Sequence, residues 1–140
     1  VGWLQAEYED FTTVIDGAPR VLDGLTVPNS PEWTVSADAE YSFALTGNLD
    51  AFVRGEYIYR DEIRSSIDSL IREGFPWVVP AFDIVNLRAG IQHENYTVAF
   101  YVENLLDDTY FTNSYQKAFV GGLHIEPGVQ RYGLRARYNF

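Results

Sequence analysis

The sequence predicts an all-β protein: an antiparallel, up-and-down transmembrane β-barrel of which this chain supplies about six strands. Three observations predict it. Apolar and polar residues alternate over most of the chain, short and long connections follow one another in turn, and aromatic residues recur near strand ends on the apolar side. No stretch offers an apolar stripe at helical spacing for more than a turn or two.

The elements follow in order. A weak opening strand sets Leu4, Ala6 and Tyr8 against Gln5, Glu7 and Glu9. The clearest strand, over 33–45, sets Trp33, Val35, Ala37, Ala39, Tyr41, Phe43 and Leu45 against Thr34, Ser36, Asp38, Glu40 and Ser42. In the next, Leu49–Arg60, the set Leu49, Ala51, Val53, Gly55, Tyr57 and Tyr59 opposes Asp50, Arg54, Glu56 and Arg60, with Phe52 and Ile58 as exceptions. Over 85–92, Val85, Leu87, Ala89 and Ile91 oppose Asn86, Arg88, Gly90 and Gln92. Tyr96, Val98, Phe100 and Val102 then oppose Thr97, Ala99, Tyr101 and Glu103. In the closing strand Tyr132, Leu134, Ala136, Tyr138 and Phe140 oppose Arg131, Gly133, Arg135, Arg137 and Asn139, so alternation runs to the last residue.

The connections at 46–48 and 93–95 are short and carry the Gly and Asn of tight hairpins. Those at 14–32, 61–81 and 112–128 are long and rich in Gly, Pro, Ser and Asn. With strands running up and down, all short turns fall at one end and all long loops at the other, as in outer-membrane barrels.

Alternation alone equally describes a soluble sandwich or a lipocalin-like barrel. Strand length, loop asymmetry and the girdle-like placement of Trp33, Tyr41, Phe43, Tyr57, Tyr59, Tyr132, Tyr138 and Phe140 favour the membrane. An Arg facing lipid at mid-depth costs roughly 2–4 kcal/mol. Arg54, Glu56, Arg88, Glu103, Arg131, Arg135 and Arg137 are therefore expected to face the lumen, and the opposite faces carry no charge. About six strands cannot enclose so polar an interior, since even a barrel of ~8 strands leaves room for little more than packed side chains. The chain is expected to be a piece of a longer or processed one, an expectation shared by its opening on Val and its lack of Met.

Composition excludes several functions. Without Cys there is no disulfide framework, thiolate metal site or cysteine nucleophile. A net charge of −10 argues against nucleic acid and against adsorption to an anionic membrane surface. No run approaches the ~18 apolar residues of a transmembrane helix.

Three segments resemble the C-terminal end of the barrel of TonB-dependent outer-membrane receptors. "VPNSPEWTVSADAEYSF" resembles the family's proline-bearing entry into an alternating strand. "YVENLLDDTYF" resembles its Asn-Leu-(Leu or Phe)-Asp-x-x-Tyr segment, here Asn104, Leu105, Leu106, Asp107 and Tyr110. "PGVQRYGLRARYNF" resembles its Pro-Gly-x-x-Arg closing strand with a terminal Phe. The resemblance implies a 22-stranded barrel plugged by an N-terminal domain in the outer membrane of a Gram-negative cell, residues 1–140 being the C-terminal portion of the barrel. It implies uptake of an iron-siderophore, cobalamin or carbohydrate with energy delivered through TonB, which would engage an N-terminal region outside this sequence. It also implies contact with outer-membrane lipid and lipopolysaccharide, and with the barrel-assembly machinery through Tyr132, Leu134, Tyr138 and Phe140 of the closing strand.

Each candidate site has a plainer reading beside it. Asp107 and Asp108 could hold a cation, but a hard cation needs more oxygen ligands, and the adjacent Leu105 and Leu106 point to a bulge or bend. His93 and His124 lack metal-ligand partners at i+2 or i+4. Gly121-Gly122 lacks the Lys and Ser or Thr of a phosphate loop. Arg131, Arg135 and Arg137 could line a path for an anion, or balance lumenal acids and pair with the plug. Ligand contact is expected from the long loops, where Arg64, Arg72, Phe75, Trp77, Tyr115, Phe119 and His124 supply cationic and aromatic groups. No catalytic constellation stands out and no cofactor is expected, so the chain reads as a transporter segment and not an enzyme.

Overall fold

The computed structural model describes residues 1–67, 71, 78–117, 121–125 and 129–140, with the backbone alone at 115–117 and 121–125. Its strands in chain order are β1 (Gly2–Trp3), β2 (Thr12–Ile15), β3 (Ala18–Val21), β4 (Trp33–Thr46), β5 (Leu49–Arg60) and β6 (Ile63–Arg64). There follow β7 (Val78–Val79), β8 (Phe82–His93), β9 (Tyr96–Glu103), β10 (Asn113–Lys117), β11 (Gly121–Ile125) and β12 (Arg131–Tyr138). β1, β4, β5, β8, β9 and β12 form one open, antiparallel sheet in that order, the up-and-down arrangement expected of barrel wall. No helix among the described residues is long and apolar enough to cross a membrane, which says nothing of crossing by strands.

Two strands coincide with their expected bounds, Leu49–Arg60 and Tyr96–Glu103. The others depart in instructive ways. β8 begins at Phe82, because its first residues pair with the top of β5 although they break alternation. β12 ends at Tyr138, yet the Asn139 N–H still donates to the Asn95 carbonyl at 2.8 Å, so pairing persists one residue further. The opening strand expected over 4–9 is replaced by β1, which pairs with the top of β4 at Gly2↔Thr34 and Trp3↔Trp33. Residues 4–8 continue alongside the returning chain by irregular bonds: Leu4 N–H to the Glu32 carbonyl, Val27 N–H to Ala6 and Tyr8 N–H to Leu25, each 2.9 Å.

All three long connections contain ordered ribbons. β2 pairs with β3 around Asp16-Gly17, whose φ values of 52° and 78° are those of a two-residue hairpin turn that Asp and Gly tolerate best. β6 pairs with β7, and β10 with β11.

Register puts all paired residues of a row on one face. The row Glu40, Arg54, Arg88, Tyr101 and Gly133 is polar, and its neighbour on the other face, Tyr41, Val53, Ala89, Phe100 and Leu134, is wholly apolar. Burial inverts the soluble pattern. Phe52, Ile84 and Ala99 are buried on the polar face, whereas Tyr41, Val53, Phe100, Tyr132, Leu134 and Tyr138 on the apolar face are exposed. An exposed apolar sheet face of this extent marks a surface that meets something other than water.

Candidate functional site

The polar face and the rim above it carry the chemistry. Arg54, Glu56, Asn86, Arg88, Tyr101, Glu103 and Arg135 line an open hollow of about 210 Å3. They converge because the antiparallel registers stack rows of β5, β8, β9 and β12, so residues far apart in sequence share one patch. Arg54 pairs with Asp38 at 3.0 Å and Arg131 with Glu103 at 2.9 Å. Asn86 Nδ2 donates to Glu56 Oε2 at 2.8 Å.

Arg88 and Arg135 instead lie against rings. The guanidinium of Arg88 is 5.6 Å from the centroid of Phe52, and that of Arg135 is 5.7 Å from Tyr101. Among the described residues no carboxylate lies within ion-pair distance of Arg88, Arg135 or Arg137, while Arg54 and Arg88 face each other in register. Like charges directly opposed are unfavourable, and here Arg54 turns to Asp38 while Arg88 rests on Phe52. Tyr101 also covers Gly133: a Cβ built there would lie 2.8 Å from the phenolic oxygen, so the glycine admits the ring.

The break in alternation at 104–108 is a bulge and turn. Leu87 pairs with Val102, but the Leu105 N–H donates to the Val85 carbonyl, so Glu103 and Asn104 together oppose Asn86. Asn86 Oδ1 accepts the Asn104 N–H at 2.9 Å. Asn104, 4% exposed and with φ at 55°, donates through Nδ2 to the Asp108 carbonyl at 2.9 Å and accepts the Asp108 N–H at 3.2 Å. Asp107, also at φ 55°, accepts the Gln130 N–H at 3.4 Å. Among the described residues no group of three His, Asp or Glu converges as a metal site.

The loop candidates are only partly placed. Arg64 lies on β6, and its carbonyl accepts the Asn29 N–H at 2.8 Å. Arg72, Phe75, Trp77 and Phe119 lie outside the described residues. The backbones of Tyr115 and His124 lie in the β10–β11 ribbon opposite Leu123 and Ser114, and their side chains are outside the description. The closing-strand set is brought together: Tyr132, Leu134 and Tyr138 pair with Val102, Phe100 and Tyr96 on the apolar face, and Phe140 meets Tyr138 edge-on at 5.1 Å. At the same end His93 stacks on Tyr96 at 5.0 Å.

Arg60, which the alternation places on the polar side of its strand without a site role, makes contacts the pattern does not foretell. It donates to the carbonyls of Thr112 at 2.8 Å and Phe111 at 3.0 Å, and sits 4.6 Å from the centroid of Phe82. The available signal was its place as the last residue of a strand beside a long connection.

Charge is unevenly shared between the two ends of the sheet. On the polar face Asp38, Glu40, Asp50, Glu56 and Glu103 nearly balance Arg54, Arg60, Arg88, Arg131, Arg135 and Arg137. At the long-connection end, apart from the polar face itself, Glu7, Glu9, Asp10, Asp16, Asp23, Glu32, Asp61, Glu62, Asp83, Asp107 and Asp108 stand against Arg20, Arg64 and Lys117 among the described residues.

Comparison with protein families matches residues 2–105 to the family described as TonB dependent receptor-like, beta-barrel. No curated protein and no solved structure matches. The matched residues run from β1 to the end of β9 and the first residues of the Asn104 turn, and β12 lies beyond them. With more than half of the chain matched, and with an antiparallel sheet that is apolar on one face and charged on the other, the chain belongs to the TonB-dependent receptor family as part of its β-barrel.

Proposed function

We propose that this chain is wall, rim and closing strand of an outer-membrane receptor in a Gram-negative cell, the C-terminal portion of a plugged 22-stranded barrel. The receptor takes up a scarce ligand, an iron-siderophore, cobalamin or a carbohydrate, with energy delivered through TonB to the N-terminal part of the protein. It acts by transport and not by catalysis. The observation that carries this reading is the two-faced sheet, with one face apolar and exposed and the other bearing the charged residues, in a chain of this family.

Within the proposal the residues divide by face. Arg54, Glu56, Arg88, Glu103, Arg131, Arg135 and Arg137 line the lumen, and those arginines without a carboxylate partner meet acidic groups of the plug. Arg64, Arg72, Phe75, Trp77, Tyr115, Phe119 and His124 supply ligand contacts from the external connections. Tyr132, Leu134, Tyr138 and Phe140 face lipid and are read by the barrel-assembly machinery, and lipopolysaccharide meets the upper girdle.

The test is deletion of the gene from the parent organism, followed by growth on each ligand class as sole source of iron, cobalamin or carbohydrate. Growth lost on one class and restored by the intact gene supports the reading and names the ligand. Recovery of the full protein from the soluble fraction as a compact monomer overturns it.

A further inference from the structure

After β9 the chain does not rise straight away from the sheet. The Asn104 turn folds it back, and residues 107–112 cross the polar face past β8 to the top of β5, a distance of two strand spacings or about 10 Å. Two contacts fix this crossing. The Tyr110 ring lies 4.9 Å from the Phe82 ring on β8. Arg60 on β5, the register partner of Phe82, donates one guanidinium nitrogen to the Thr112 carbonyl and the other to the Phe111 carbonyl, at 2.8 and 3.0 Å.

The geometry points to a strap: residues 107–112 cover the outer end of the polar face, and Arg60 is the clasp that holds them there. The chemistry suits arginine in particular. A planar fork with two parallel donors can satisfy two successive carbonyls while its face rests on an aromatic ring, and an ammonium cannot do both. Beside the strap Ile84 is buried, and with Ile58 and Tyr110 it lines an open hollow of about 290 Å3 that the strap borders through Tyr110. Beyond the strap β10 lies against β7, so the clasp also ties the third long connection to the second. A solute entering from the long-connection end reaches this part of the face only when the strap lifts, and breaking the clasp raises the population of the lifted state.

The inference rests on the proposed lumen for what it says of access, but the clasp itself can be tested whatever the ligand. In the full-length receptor in detergent micelles, hydrogen exchange of residues 109–112 is compared between the parent, Arg60→Gln and Arg60→Lys. The glutamine variant is expected to exchange there at least tenfold faster with β5 and β8 unchanged, and the lysine variant to fall between. In parallel, Ile84→Cys is labelled with a water-soluble thiol reagent, with Ile58→Cys as the second position should the first not assemble. Labelling is expected to accelerate at least tenfold in the glutamine background, while Leu106→Cys, on the exposed side of the turn, labels at an unchanged rate. Equal exchange and labelling in parent and variant, or acceleration spread equally through β8, would overturn the clasp.

Discussion

Leu134→Arg separates a lipid-facing sheet from a water-facing one by magnitude. Leu134 is 76% exposed and sits on the apolar face of β12, in the row with Tyr41, Val53, Ala89 and Phe100. β12 covers Arg131–Tyr138, which at about 3.4 Å per residue is roughly 24 Å of strand. Leu134 is three residues from one end and four from the other, so the arginine would sit within ~2 Å of the strand's midpoint. At that depth in a bilayer it costs roughly 2–4 kcal/mol, a factor of about 30 to 700 in the folding equilibrium. In water, exchange of one exposed side chain for another changes stability by about 0.5 kcal/mol or less. The assay is reversible denaturant unfolding of the full receptor in lipid vesicles, with Arg135→Leu on the opposite face as comparison. A shift below about 0.5 kcal/mol for Leu134→Arg would refute the face assignment, because no lipid-exposed midpoint is so tolerant.

Other outcomes follow from single contacts. Phe140→Asp should reduce the heat-modifiable, assembled receptor on gels several-fold, since Phe140 meets Tyr138 edge-on at the end of the apolar face, where the proposed barrel needs an aromatic girdle. Asn139→Asp should leave the yield unchanged, because Asn139 contributes a backbone N–H that the substitution spares. Asn104→Ala should cost about 2–3 kcal/mol in vesicle unfolding, from a strained φ and two lost hydrogen bonds in a buried turn, and Asn104→Gly should recover only the backbone part. Gly90→Ala should be among the most damaging small changes on the polar face, since the added Cβ would meet the Val98 carbonyl and come within 2.8 Å of Ala99 Cα, whereas Gly47→Ala meets nothing and should be neutral by the same measurement.

The long strands were legible because period-2 patterning over eight or more residues, bounded by Gly and Asn turns, leaves little freedom in type or register. Even the exceptions in β5 now have a reason. Phe52 is buried beneath the Arg88 guanidinium and Ile58 lines the hollow under Tyr110, so the polar face is apolar where something covers it. A pattern read along one strand cannot see that cover. The ribbons escaped for a different reason: four or five residues of alternation are too few to distinguish from a polar loop, although Asp16-Gly17 between Thr-Val-Ile and Ala-Pro-Arg was a hairpin signal of the favoured kind. β1 was misplaced because two residues of pairing leave no periodicity at all. The candidate site divides along the same line. The arginines of the polar face follow from alternation, whereas the role of Arg60 depends on a chain crossing from β9 to β5 that strand patterns do not encode.

The surplus of carboxylates at the long-connection end also bears on speed. Fields from exposed charges reach about 8 Å at physiological ionic strength and about 30 Å at 0.01 M, and they act on the diffusional encounter more than on the final fit. The described carboxylates there outnumber Arg20, Arg64 and Lys117 several-fold, so in the proposed receptor they would draw a cationic solute toward the mouth and slow an anionic one. An anionic cargo would thus arrive faster as salt is added, even though the arginines deeper on the polar face favour it once inside. In the proposed receptor, capture and retention would thus depend on opposite charges at the two levels of the same wall.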